Sequence, residues 1–208
     1  MADEVIKKQL IRIRLCGKKP LVFDVEDVKR LRCDHQIVGS LVGSLPRFPQ
    51  QNGFYGLPLL LLAEEVSLIV EKEWGTLTAL GGQTSWDYPK TRQEWLRYMV
   101  YCHFHQLGYF LTSGEKFGGD YLAYPGDPMR YHSHYIIAAH ERQQIFSPME
   151  LVAMGRLATN TKKTFVLASP YTDDDDDYVD KERGTDNIEN SGLADHQVEC
   201  FSITWAGF

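Results

Sequence analysis

Apolar positions recur every second residue over residues 5–15, where Ile and Leu alternate with Arg, and this period of two predicts a β-strand. Leu21-Val-Phe23 predicts a second strand. From Asp24 the period lengthens to that of a helix. Asp24 suits its N-cap, and Val25, Val28 and Leu31 fall on one face of a segment reaching about Cys33. Residues 39–58 are rich in Gly and Pro and read as an ordered loop. Leu57–Leu62 reads as a buried segment. Ala63–Trp74 reads as a helix with Val66, Ile69 and Val70 inward, and Thr76–Leu80 as a strand. Residues 81–89 are turn-forming throughout, which places a domain junction there. The expected division is an N-terminal domain over 1–85 and a second domain over 90–208.

The second half alternates helix and strand. Thr91 caps a helix to about Leu107, with Trp95, Tyr98, Met99, Cys102 and Leu107 as core candidates, and Gly108 ends it. Tyr109–Leu111 pairs with Phe117–Tyr124 in a hairpin turned at Gly114. His132–His140 reads as a strand. Ser147-Pro-Met-Glu150 holds a cap, a first-turn proline and a capping-box glutamate, which together start a helix. Lys163–Ser169 and Val198–Trp205 complete the strands. The class is α+β, with a small α/β domain first. Asp173–Asp177 lies in an acidic loop at about 170–195; five consecutive carboxylates repel one another and RNA, and a solvated loop is the ordinary reading.

Charge changes the picture only when it is divided along the chain. The 208 residues carry a net charge of −6, which argues against a polyanionic partner. Residues 88–168, however, hold nine basic and six acidic side chains, whereas residues 169–208 hold two and eleven. The negative charge belongs to the tail, and the segment before it is mildly basic. No apolar run approaches the ~18 residues of a membrane span, and the first residues lack the pattern of a signal peptide. The four cysteines are scattered without a CxxC, as expected of reduced thiols.

The chemistry concentrates around Pro125-Gly-Asp-Pro128. Two prolines fix φ and a glycine between them can take positive φ, so the turn holds its two arms in a defined relation. Tyr124 ends the first arm and His132 begins the second. Lys162 and Lys163 follow the predicted helix that contains Arg156. A phenol, an imidazole and an ammonium can cleave RNA through its own 2′-hydroxyl: a base takes the hydroxyl proton, an acid protonates the leaving 5′-oxygen, and a cation steadies the phosphate. A free phenol titrates near 10, and cations beside a phenol lower that value. Residue types alone do not choose Tyr124 over Tyr121 or Tyr131, nor Lys163 over Lys162. His132 and His134 would share one strand face and could pair on a metal, but no Cys or third His at ligand spacing completes a site. Arg130 either contacts a phosphate or pairs with Asp127. Gly118-Gly119 reads as close strand packing.

These residues also carry a resemblance. YPGDPxRYHSHY, LVAxGRLxTxxKKT and the terminal FSITWA resemble the catalytic subunits of tRNA-splicing endonuclease, above all the smaller eukaryotic catalytic subunit assigned to the 3′ splice site. The strong part covers about residues 92–208; Gly43–Asn52 and Gly56–Leu61 fit more loosely. The resemblance implies a C-terminal nuclease domain of restriction-endonuclease-like architecture. It implies Tyr124 as base, His132 as acid and Lys163 as phosphate contact, with 2′,3′-cyclic phosphate and 5′-hydroxyl products and no metal or other cofactor. It implies precursor tRNA as substrate, partnership with a second catalytic and two structural subunits, and a nuclear location without a membrane. Arg156 and Trp205 would grip a bulged base at the other catalytic subunit's site, and the final strand would pair with a structural subunit. A non-catalytic structural subunit and a self-sufficient, archaeal-type homo-oligomer are the alternatives.

Overall fold

The structure is a computed structural model that describes residues 10–43, 56–79, 82–171 and 197–204. The chain divides into two compact units, Met1–Asp87 and Tyr88–Phe208. The predicted loop over 39–58 is described only at its ends, and the acidic run Asp173–Asp177 and Trp205 lie outside the described residues. Among the described residues, no helix is long and apolar enough to cross a membrane.

In the first unit, β1 (Ile11–Cys16) pairs antiparallel with β2 (Lys19–Val22) and parallel with β5 (Gly75–Ala79). Short strands β3 (Ser40–Leu41), β4 (Leu59–Leu60) and β6 (Gly82–Gln83) extend the sheet to the order β3-β4-β2-β1-β5-β6. The period-two pattern does its expected work. Ile11, Ile13, Val22 and Leu77 turn inward to meet Val28 and Leu31 of α1 (Val25–Asp34) and Val66 and Ile69 of α2 (Ala63–Glu71). Asp24 caps α1 by accepting from the N–H groups of Glu26 at 2.8 Å and Asp27 at 3.3 Å. Two inward expectations are corrected. Val25 is exposed because it opens the first turn of α1, beyond the sheet's cover. Val70 is exposed because it lies in the last turn of α2, beyond Glu64–Ile69, which are buried on every side of the helix.

In the second unit, α3 (Arg92–Gln106) starts from a Thr91–Glu94 capping box. The sheet then runs through β7 (Phe110–Ser113), β8 (Tyr121–Tyr124), β9 (Tyr135–Ala139), β10 (Thr164–Tyr171) and β11 (Gln197–Ile203), in the order β11-β10-β9-β8-β7. Only the β9–β10 pair is parallel, and α4 (Pro148–Asn160) makes the crossover between those strands. Ser147 and Glu150 form the capping box expected at its start. One face of the sheet, with Leu122, Ile136, Phe165 and Leu167, packs against Ala158 and Met154 of α4. Tyr121 is fully buried; its ring meets Tyr101 of α3 edge-on and its hydroxyl donates to the Arg97 carbonyl at 3.1 Å. Leu107, expected in the core, is exposed at the C-cap of α3, where the chain turns away.

Glu65 is the buried group that the hydrophobic pattern does not reveal. It is fully buried, yet one carboxylate oxygen accepts the Leu62 N–H at 2.7 Å and the other the Gly39 N–H at 3.0 Å. It thus ties the start of α2 to the segment entering β3. Burial raises its pKa from the ordinary carboxylate value to about 7, against the pull of those N–H groups. A raised pKa means that, between about 4.5 and 7, the folded state holds a proton the unfolded state has lost. Its contribution is therefore complete below 4.5, declines as pH rises, and is gone above about 7. At ~1.4 kcal/mol per pKa unit the whole swing is ~3 kcal/mol. Glu65→Gln is expected to flatten this slope in urea unfolding followed by fluorescence of Trp74 and Trp86, which pack on the same core. It should also cost ~1–3 kcal/mol at pH 5, since an amide accepts from only one of the two N–H groups.

Candidate functional site

The Pro125–Tyr131 turn is closed by Asp127. Its carbonyl accepts from the N–H groups of Arg130 at 2.8 Å and Tyr131 at 3.0 Å, and its carboxylate accepts from Met129 N–H at 2.7 Å. Gly126 lets the Tyr131 ring approach closely: a Cβ there would lie 2.7 Å from it. This packing separates the three tyrosines that residue type leaves equivalent. Tyr121 is sealed into the α3 side of the sheet, and Tyr131 lies over Gly126. Tyr124 is half-buried at the end of β8, packed against the cluster under α4, and its hydroxyl oxygen accepts from Thr112 Oγ1 at 3.4 Å.

The second arm of the turn is not yet strand. β9 begins at Tyr135, so His132 and His134 precede it, correcting the expected start at His132. The arm is nonetheless tied down. His134 N–H donates to the Ala123 carbonyl, and the His134 carbonyl accepts from Thr164 N–H, both at 2.9 Å. His132 and His134 are exposed while Ser133 between them is buried, so the two imidazoles emerge on one side of an extended segment.

The two lysines also part. Lys162 is exposed with φ +54°, a left-handed residue closing α4. Lys163 is half-buried; its N–H donates to the Ala158 carbonyl at 2.9 Å. Its ammonium lies 5.6 Å from the Phe117 ring centroid and donates to the Thr161 carbonyl at 3.4 Å. A cation over an aromatic face is held by the ring quadrupole, so Phe117 restrains this side chain. Phe117 and Thr112 escaped the sequence reading, because an apolar hairpin residue and a strand threonine carry no signal of their own.

Register assembles the site. Ala123 and Thr164 both pair around Tyr135, antiparallel and parallel respectively. Continuing each ladder by one residue places Tyr124, His134 and Lys163 in a row across three adjacent strand paths. At ~4.8 Å per strand, the outer backbones stand about 10 Å apart. Directly paired residues share a face, so this row lies on the α4 side, the side of Ile136 and Phe165. His132 continues the same side two residues further, ~7 Å along the chain. Register thus places Tyr124, His134 and Lys163 at one end of the sheet, beside the exposed His132.

Other expected site residues are less gathered. Arg130 is exposed within the turn, and Asp127 gives its carboxylate to Met129 N–H. Arg156 is exposed on α4. Gly119 admits no Cβ, which would lie 2.7 Å from Ile136 and 2.8 Å from the Ile137 carbonyl, so close strand packing explains it. Among the described residues, no three or more His, Cys, Asp or Glu side chains gather as metal ligands.

Comparison with known proteins adds to this geometry. Residues 11–79 match the family described as TSEN34-like, N-terminal domain, and residues 94–180 match tRNA intron endonuclease, catalytic C-terminal domain. The chain is 42% identical over 88 residues to the tRNA-splicing endonuclease subunit Sen34 of Homo sapiens, a match covering 42% of this chain and 28% of that protein. The match thus spans under a third of the human relative's length. The probable tRNA-splicing endonuclease subunit sen34 of Schizosaccharomyces pombe is 26% identical, with 91% of this chain and 95% of that protein covered. The tRNA-splicing endonuclease of Saccharolobus solfataricus is 30% identical, with 64% of this chain and 87% of that protein covered.

The turn offers a test of the site's construction. Asp127→Ala removes the acceptor of Met129 N–H while leaving the backbone contacts possible. It is expected to cost ~1 kcal/mol in urea unfolding and to speed amide hydrogen exchange at Met129, Arg130 and Tyr131, with β8 and β10 amides unchanged.

Proposed function

Because the chain belongs to the tRNA intron endonuclease family, we propose that it is a catalytic subunit that cleaves precursor tRNA at an intron boundary, at the 3′ splice site. The observation that supports this reading is the register that sets Tyr124, the His132–His134 arm and Lys163 at one end of the sheet. Tyr124 accepts the proton of the 2′-hydroxyl, whose oxygen bonds to phosphorus. The bond from phosphorus to the 5′-oxygen breaks, and His132 supplies the proton that this oxygen takes. The products are a 2′,3′-cyclic phosphate and a 5′-hydroxyl. Lys163, steadied over Phe117, offsets the charge that builds on the phosphate oxygens. Thr112 donates to the oxygen of Tyr124 and so helps to hold the phenol in place.

An in-line displacement needs acid and base on opposite sides of phosphorus. His134 neighbours Tyr124 in the row, whereas His132 stands further along, which favours His132 as the acid. No metal or cofactor enters this chemistry. The partners in this reading are a second catalytic subunit and two structural subunits, in the nucleus. β11 forms one edge of its sheet and exposes Phe201, as suits pairing with a structural subunit. Arg156 and Trp205 would grip a bulged base at the other catalytic subunit's site; stacking tolerates any base.

His132→Ala, reconstituted with the partner subunits, is expected to lose at least ~10²-fold in the rate of one of the two cuts while RNA binding persists. His134→Ala should do less to that step; a larger loss would exchange the two roles. Normal cleavage at both sites by the His132 variant would sink the mechanism. Cleavage should also survive excess chelator once the RNA is folded in monovalent salt. A collapse reversed only by a divalent ion, with the RNA fold unchanged, would overturn metal independence.

A further inference from the structure

The outer face of the first unit's sheet is chemically unlike its inner face. Register puts Arg12, Arg14 and Cys16 of β1 on that face, opposite Phe23, Leu21 and Lys19 of the β2 path, with Thr76 and Thr78 of β5 on the other flank. No acidic side chain stands on the outward positions of these three strands. Arg12 is committed: its guanidinium pairs with Asp24 at 2.8 Å and Asp27 at 3.3 Å, bracing the start of α1. Among the described residues, no carboxylate pairs with Arg14 or Lys19. These two are diagonal neighbours across the ladder, ~7–8 Å apart. Phe23 is 46% exposed, an unusual place for a phenylalanine. The Arg14 guanidinium carbon lies 5.4 Å from its ring centroid. Arg12, Ile13, Arg14, Phe23, Asp24 and Thr78 line a surface cavity of about 290 Å³.

We propose that this face binds a single-stranded RNA segment, with one base stacked on Phe23 and the backbone phosphates on Arg14 and Lys19. An open aromatic ring on a sheet face, flanked by unpaired cations, is the arrangement that takes unpaired nucleotides with little sequence preference. The charge pattern favours this occupant over an apolar protein surface, because Leu21 lies opposite Arg14 and two residues from Lys19 on the same face. The inference rests on the proposed RNA substrate but not on the cleavage chemistry.

The test is fluorescence anisotropy of the full chain with a labelled ten-nucleotide single-stranded RNA and with precursor tRNA, across a salt series. Phe23→Ala is expected to weaken oligonucleotide binding about tenfold, and Phe23→Trp to retain it. Arg14→Ala with Lys19→Ala should reduce the slope of log affinity against log salt by ~0.7 for each cation removed. Lys29→Glu, an exposed α1 lysine paired with Glu26, controls for net charge and should move binding less than Arg14→Glu. Urea midpoints close to that of the unmodified chain establish that the variants are folded. If the unmodified chain binds no oligonucleotide, or if folded variants keep its affinity and slope, the proposal is overturned. Cleavage by the reconstituted assembly and its dependence on His132 are read separately. Loss of that dependence with intact Phe23 sensitivity removes the enzymatic reading alone, and the reverse result removes the groove alone.

Discussion

The backbone of one histidine joins the two halves of the candidate site. His134 donates its N–H to the Ala123 carbonyl on one side and accepts Thr164 N–H on the other, each at 2.9 Å. Through these two bonds the ends of β8, β9 and β10 are held in fixed register. Side-chain direction follows from register, because a slip of one residue would send Tyr124 or Lys163 to the α3 side. The catalytic chemistry proposed here therefore depends on ladder geometry before it depends on any side chain. The Asp127-closed turn then determines how far His132 stands from that row.

The two faces of this sheet divide labour. Toward α3 lie Tyr121 and Ala123, both fully buried, and the Tyr121 hydroxyl is spent on the Arg97 carbonyl. Toward α4 the packing is deep at Ile136 and Phe165 but thins at the strand ends, where Tyr124 and Lys163 are half-buried. Partial burial matters for both. An ammonium taken fully from water without a partner is costly, and here it keeps the Phe117 face and the Thr161 carbonyl. Each group is restrained by a neighbour and remains open on one side, as a group that must meet substrate requires.

Local chemistry made much of this legible in advance. The caps at Asp24, Thr91 and Ser147 act through short-range hydrogen bonds within four residues, and all three appear where residue type puts them. The period of two in β1 likewise survives into the fold, with Ile11 and Ile13 buried and Arg12 and Arg14 exposed. What failed depended on distant partners. Glu65 is buried against its polar type, because its acceptor role depends on Gly39, 26 residues away. Lys162 and Lys163 differ because α4 ends in a left-handed residue, which residue type does not announce. The choice among Tyr121, Tyr124 and Tyr131 required knowing which side of the sheet α3 covers. Thr112 and Phe117 act only through what they touch.

Charge placement carries the last step. The tail from residue 169 onward holds eleven acidic side chains, and a polyanion is not drawn to such a chain by its overall field. On the proposed reading, affinity for RNA comes from local cations whose own carboxylate partners are absent or spent elsewhere. The first unit illustrates the rule in two neighbouring arginines. Arg12 is neutralised by Asp24 and Asp27 and serves the helix cap, while Arg14, one ladder step away, is left to the Phe23 ring. The second unit repeats it at Lys163, which meets an aromatic face and a carbonyl but no carboxylate among the described residues. In both places the protein holds a cation with neutral groups, so its charge is left for the phosphate of the proposed RNA.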